Sequence, residues 1–317
     1  MASPIMPATG ISSDAASHVT SHVAERHVCC NASSGLWSHV TQRRACALGA
    51  QIIALIAIGL WLESRFGLTG QRLTNIWALT VLLVCAKHGR RHERITLALA
   101  TALSAVGEVT MSSVVGLYDY RYHAVPLFVP PGHALVMTLG ALIDRRLARH
   151  ARSAIVGVAV FAAVWAAYAW STDSDRFGVL LCVLFAFVLW RGPARSLYAV
   201  MFALALALEL FGTAIHAWTW ARSVPVLDLS AGNPPFAAGA FYCSLDLVVL
   251  GLGRRLLAQY DAASTVRACN QNLASAVTAR PFSEFNSAAS SPLVLPPRAR
   301  RKSTLTMRPD CPLRTAS

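Results

Sequence analysis

Apolar blocks long enough to cross a bilayer alternate along this chain with short charged clusters, the pattern by which hydropathy locates membrane spans. The blocks fall at about residues 45–62, 73–86, 95–117, 125–143, 154–170, 177–190, 197–217 and 236–253. The first is roughly 27 Å long as a helix, enough for the hydrocarbon core. The second is shorter and follows through a tight Gly-containing loop. The pattern predicts an all-α integral membrane protein with eight transmembrane helices. Residues 1–44 are polar, rich in Ser, Ala and His, and lack the basic and apolar regions of a signal peptide. Residues 259–317 are rich in Ser, Pro and Arg without periodicity. Both ends read as disordered tails.

Composition agrees with lipid as the solvent. The 317 residues are 55% hydrophobic and 14% charged, against about 25% charged in ordinary soluble domains. The net charge of +13 would suit a nucleic-acid partner, but no RNP, zinc-finger or helix-turn-helix signature accompanies it. The basic residues instead gather at one set of span ends: Arg43 and Arg44, Lys87 to Arg94, Arg145 to Arg152, Arg191 and Arg195, and Arg254 and Arg255. The opposite ends carry only scattered arginines such as Arg65, Arg121 and Arg222. Positive residues stay inside, so both termini are expected in the cytoplasm of a bacterial inner (plasma) membrane. The eight cysteines form no C-x-x-C pair and predict no disulfide framework. His18, His22, His27, Cys29 and Cys30 can in principle ligate a metal, but their spacing matches no standard site.

The two halves of the apolar region resemble each other. Glu108 and Glu209, Tyr118 and Trp218, Pro130 and Pro234, and Arg145 and Arg254 are pairs separated by roughly a hundred residues. Residues 45–150 and 151–258 therefore read as two four-helix repeats. An even number of spans per repeat keeps both in the same orientation, hence a parallel arrangement.

Ionisable residues inside spans are costly, by about 2.5–3.5 kcal/mol for Asp at a helix centre, and face the protein interior. Counted from the basic boundary, Glu108 and Glu209 lie roughly 21 Å up, His133 roughly 18 Å and Asp246 roughly 12 Å. The first three share a depth and are expected to converge on one cavity. A carboxyl taken out of water favours its neutral form, so Glu108 or Glu209 can donate a proton and His133 can act as base. The competing reading is helix-to-helix adhesion. Tyr118, Tyr120, Tyr122, Trp218 and Trp220 suit an interfacial aromatic belt, or else a pocket wall that stabilises positive charge. Pro130-Pro131 and Asn233-Pro234-Pro235 read as helix starts, with Asn233 as N-cap.

Two patches carry a family resemblance. Glu108, Gly116-Leu-Tyr118-Asp-Tyr120, Val125-Pro-Leu-Phe-Val-Pro130, Trp218-Thr-Trp220 and Asn233 together resemble the membrane-embedded carotenoid hydratases of bacteria and archaea. The string Val129-Pro-Pro-Gly-His-Ala-Leu-Val136 also resembles bacterial multi-pass membrane proteins of unassigned function. The carotenoid-hydratase resemblance implies a lyase that hydrates or cyclises an apolar isoprenoid without metal or other cofactor. Of the catalytic candidates Glu108, Glu209, His133 and Asp246, the resemblance covers Glu108 and the others rest on membrane depth; substrate binding would fall to Tyr118, Tyr120, Trp218, Trp220 and Asn233. The expected partner is a membrane lipid or apolar small molecule. A proton-coupled transporter and a membrane scaffold are the alternatives.

Overall fold

The computed structural model describes residues 35–225 and 227–278. The predicted metal-ligand candidates between His18 and Cys30, and most of both predicted tails, lie outside the described residues. The chain divides into two compact units after Asp261, and the bundle and cavity described below belong to the first. It is mostly helical. Four helical stretches are long and apolar enough to cross a membrane: Gln42–His88, Arg91–Val114, Val129–Thr172 and Arg195–Ala214.

Helix α1 (Gln42–His88) is broken at Gly67, whose φ of 59° and ψ of −137° are not helical. The two arms fold back on one another. Thr74 Oγ1 donates to the Gly59 carbonyl at 3.0 Å, and a Cβ on Gly59 would sit 2.7 Å from the Thr74 methyl. A Cβ on Gly70 would run into the Leu62 carbonyl. Small residues at such a crossing let helix backbones touch, the way helices associate where no hydrophobic gradient pulls them together.

Helix α2 (Arg91–Glu108) runs straight into a π-helical turn (Val109–Val114). Helix α3 (Val129–Leu147) begins on Pro130 and Pro131, as the sequence predicts. It is buried on every side from Ala134 to Leu142, so it forms the centre of the bundle. Helices α4 (Ala151–Thr172) and α5 (Arg176–Arg191) pack together, and α6 (Arg195–Ala214) packs against α3, α4 and α5. Gly140 of α3 lies against Met201 and Leu197 of α6. Helix α7 (Gly239–Thr278) continues past Gln259, where the sequence reading ended ordered structure. The outward faces carry Ile53, Ile76, Val164, Phe187 and other large apolar side chains. That surface is compatible with lipid contact.

The links between helices are not the simple interfacial bends that the sequence predicted. Strand β1 (Tyr118–Tyr120) pairs antiparallel with β2 (Trp218–Trp220), and β3 (Ser223–Val224) pairs with β4 (Leu229–Ser230). The β1–β2 register sets Tyr118 opposite Trp220 and Tyr120 opposite Trp218. Strand periodicity is two, so Tyr-x-Tyr and Trp-x-Trp each aim both rings at one face. Arg121 extends the pairing: its backbone N–H donates to Ala217, and its guanidinium to the carbonyls of Ile215 and His216 at the end of α6. A cation there satisfies acceptors that a helix C-terminus leaves unpaired. Asp175 ties down the other link, accepting from the backbone N–H groups of Gly178, Gly232 and Phe236.

Candidate functional site

One cavity of about 200 Å³ lies between the arms of α1, helices α2, α3, α6 and α7, and the β1–β2 ribbon. Glu108 and Glu209 both line it, together with His133, Tyr118, Tyr120, Trp218, Trp220 and Tyr242. The rest of its wall is mainly apolar, supplied by residues such as Leu55, Leu60, Leu103, Met111 and Phe128.

The surroundings of the two carboxyls correspond closely. Glu108 Oε2 accepts from the Tyr118 hydroxyl at 2.8 Å and the Tyr120 hydroxyl at 2.5 Å. Its Oε1 lies 3.0 Å from His133 Nε2. Glu209 Oε2 accepts from the indole N–H groups of Trp218 at 2.8 Å and Trp220 at 3.0 Å. Its Oε1 accepts from the Tyr242 hydroxyl at 3.2 Å. The His133 and Tyr242 rings meet edge to face, with centroids 4.5 Å apart, so the partners of the two carboxyls are in contact. Each acid sits close to the two aromatics of a single strand because its helix ends just before that strand begins. The widened π turn directly after Glu108 is a device common at functional sites.

Donor chemistry separates the two acids. An indole N–H only donates, so Glu209 Oε2, facing two of them, acts as an acceptor, while Oε1 faces the Tyr242 hydroxyl, which can give or accept. The tyrosine hydroxyls and the imidazole at Glu108 can each give or accept a hydrogen bond. Both oxygens of Glu108 thus face groups of either hydrogen-bonding role, whereas at Glu209 only Oε1 does.

Seven of the nine predicted site residues line this cavity: Glu108, Glu209, His133, Tyr118, Tyr120, Trp218 and Trp220. The belt reading does not describe Tyr120, Trp218 and Trp220, which are buried against one another rather than spread along a membrane surface. The other two stand elsewhere. Asn233 is not the N-cap of α7, which starts at Gly239; its Oδ1 accepts from the Trp220 backbone N–H at 3.0 Å and pins β2. Asp246 is buried but does not line the cavity, because it lies on α7 below Tyr242. The sequence reading passed over Tyr242. The signal was present: Tyr242 follows His133 by the same offset that separates Arg254 from Arg145.

Among the described residues, no group of three His, Cys, Asp or Glu side chains is placed to hold a metal ion. Comparison of the chain with protein-family models, curated proteins and solved structures finds no match in any of the three.

Proposed function

We propose that this protein is an intramembrane enzyme that performs acid-catalysed hydration or cyclisation of an isoprenoid-type apolar substrate. The observation that carries this reading is the convergence of two buried carboxyls and four aromatic rings on one otherwise apolar cavity. An apolar cavity of about 150 Å³ admits benzene. One of about 200 Å³ therefore accepts a branched end group of one or two isoprene units while the rest of the chain stays in lipid.

Glu108 gives its proton to a carbon–carbon double bond, whose π electrons form the new C–H bond and leave a cation on the more substituted carbon. The Glu209 carboxylate and the aromatic rings stabilise that cation. In hydration, a water oxygen bonds to the cation and its surplus proton passes to His133, then back to Glu108. In cyclisation, a second double bond attacks the cation, and loss of a neighbouring proton to the same base ends the reaction. Both routes return every group to its starting state.

The proposed setting is a bacterial inner membrane crossed eight times, as two parallel four-helix repeats with both termini in the cytoplasm. Two features support it. The Gly67 break makes α1 a hairpin rather than one crossing, and the paired environments of Glu108 and Glu209 are what duplication would leave. The resemblance of Glu108, Tyr118, Tyr120, Trp218 and Trp220 to carotenoid hydratases supports the same chemistry.

The test is mass spectrometry of small molecules that co-purify with the protein. An isoprenoid enriched over bulk phospholipid is expected. Bulk phospholipid alone contradicts the reading, and an unaltered hydrophilic solute would favour a proton-coupled carrier.

A further inference from the structure

The cavity has a polar floor that the proposed chemistry does not use. Among the described residues, five buried side-chain polar atoms have no hydrogen-bond partner, and three of them, Ser104 Oγ, Asp246 Oδ2 and Tyr198 OH, belong to α2, α7 and α6. All three residues are 2% exposed or less. Ser104 also lines the cavity. Such groups are rarely left bare, and an enclosed water with two to four polar neighbours is the usual solution.

Their order along the bundle follows from helix register. Helix α7 runs down α2 in the opposite direction. Gly253 lies beside Leu99 and Thr96, where an added Cβ would come within 3.8 Å and 3.9 Å of their side chains. Higher up, Tyr242 lies within electrostatic reach of Glu108. About two turns separate Asp246 from Gly253 at 1.5 Å per residue, which brings Asp246 level with Ser104, one turn below Glu108. Tyr198 continues the line toward the basic end of the bundle. Its ring leans back onto Gly192, in the link between α5 and α6. Asp246 and Arg254 are its electrostatic neighbours, and Cys243 Sγ donates to its carbonyl across the α6–α7 contact at 3.2 Å.

We propose that Ser104, Asp246 and Tyr198 line a water inlet that runs from the end of the bundle bearing Arg254 to the floor of the Glu108–Glu209 cavity. Tyr198 and Arg254 form its outer mouth, and Asp246 is the relay in the middle. Its carboxyl takes a proton on one oxygen and releases one from the other, so it passes protons without net change. The inlet rests on the unpartnered polar atoms and the helix register and does not depend on the reaction proposed above. For a hydration it would deliver the second substrate, one water consumed per turnover, to the polar end of a mainly apolar cavity.

The test needs no substrate. The full chain in detergent is transferred to heavy water, and exchange of the Trp218 and Trp220 indole hydrogens inside the cavity is followed by NMR of indole-¹⁵N-labelled protein. Signals are assigned by Trp→Phe substitution. Asp246→Leu should slow both indoles by about tenfold or more, whereas Asp246→Asn, which keeps a polar group for water, should slow them by less than about threefold. Trp190, which is 69% exposed, should exchange as in the parent and so controls for solvent conditions, while circular dichroism and the unfolding midpoint report on the fold. Ser104→Val and Tyr198→Phe each remove a polar partner for water at one end of the inlet, and each should slow the same two indoles; they decide the matter should Asp246→Leu fail to fold. Parent-rate exchange of Trp218 and Trp220 in folded Asp246→Leu or Ser104→Val overturns the inlet. Because no turnover is measured, failure of the hydration reading would leave this result unaffected.

Discussion

Replacing Glu209 tests whether a carboxylate holds the aromatic ribbon in place. In Glu209→Leu, three donors lose their acceptor: the indole N–H groups of Trp218 and Trp220 and the hydroxyl of Tyr242. The hydroxyl can rotate to another partner, but the two indoles are fixed by their rings. At about 1–3 kcal/mol for each buried donor left unpaired, the loss is about 2–6 kcal/mol. In Glu209→Gln the amide oxygen still accepts from both indoles, and the amide N–H₂ can donate to the Tyr242 oxygen. Its cost is expected to be within about 1 kcal/mol. Thermal unfolding in detergent, followed by circular dichroism and tryptophan fluorescence, measures the difference. At about 2 °C or more per kcal/mol, the Leu variant should unfold at least about 2 °C below the Gln variant. Equal midpoints would show that the indoles do not depend on Glu209, and the reasoning about this acid would fail.

Other consequences can be measured in the same way. Gly70→Val places a branched side chain against the Leu62 carbonyl and should destabilise the α1 hairpin by about 3 kcal/mol or more, whereas Thr74→Val should cost about 1 kcal/mol through its lost hydrogen bonds. Asp175→Ala removes the shared acceptor of three backbone N–H groups. It should lower stability by about 3 kcal/mol or more and raise hydrogen exchange in the β3–β4 link. Arg121→Ala should increase exchange at Ile215 and His216, because the carbonyls that the guanidinium holds lose their partner; unchanged exchange there would argue against Arg121 as a clasp. His133→Phe keeps the edge contact with Tyr242 but removes the Glu108 partner, so it should leave folding intact and stop any turnover that needs a base.

Much of this site was legible in the sequence because charge is scarce in apolar runs. A carboxyl there needs a partner, so Glu108 and Glu209 stood out, and their common depth with His133 followed from counting residues to the basic boundary. The prolines at 130 and 131 marked the start of α3 for a local steric reason. What escaped was set by contacts between distant segments. Three-residue strands carry almost no periodic signal, so Tyr-x-Tyr and Trp-x-Trp read as a belt rather than as two edges of one ribbon. Asn233 preceded a proline pair as an N-cap does, yet its amide oxygen was claimed by the backbone of Trp220, thirteen residues earlier. Asp246 shared its helix with Tyr242, but one turn of α7 separates a residue that faces the cavity from one beneath it. The extension of α7 to Thr278 was hidden by a polar composition that also suits a tail.

The central claim is that Glu108 hands a proton to an apolar substrate. It is tested most directly by expressing the parent chain and Glu108→Gln in a host that accumulates an acyclic carotenoid, and analysing the pigments by chromatography and mass spectrometry. The account predicts a product from the parent that is heavier by one water, or of equal mass with a ring closed, and none from a folded, membrane-inserted Glu108→Gln. Product formed equally by both chains, or by neither, would contradict it.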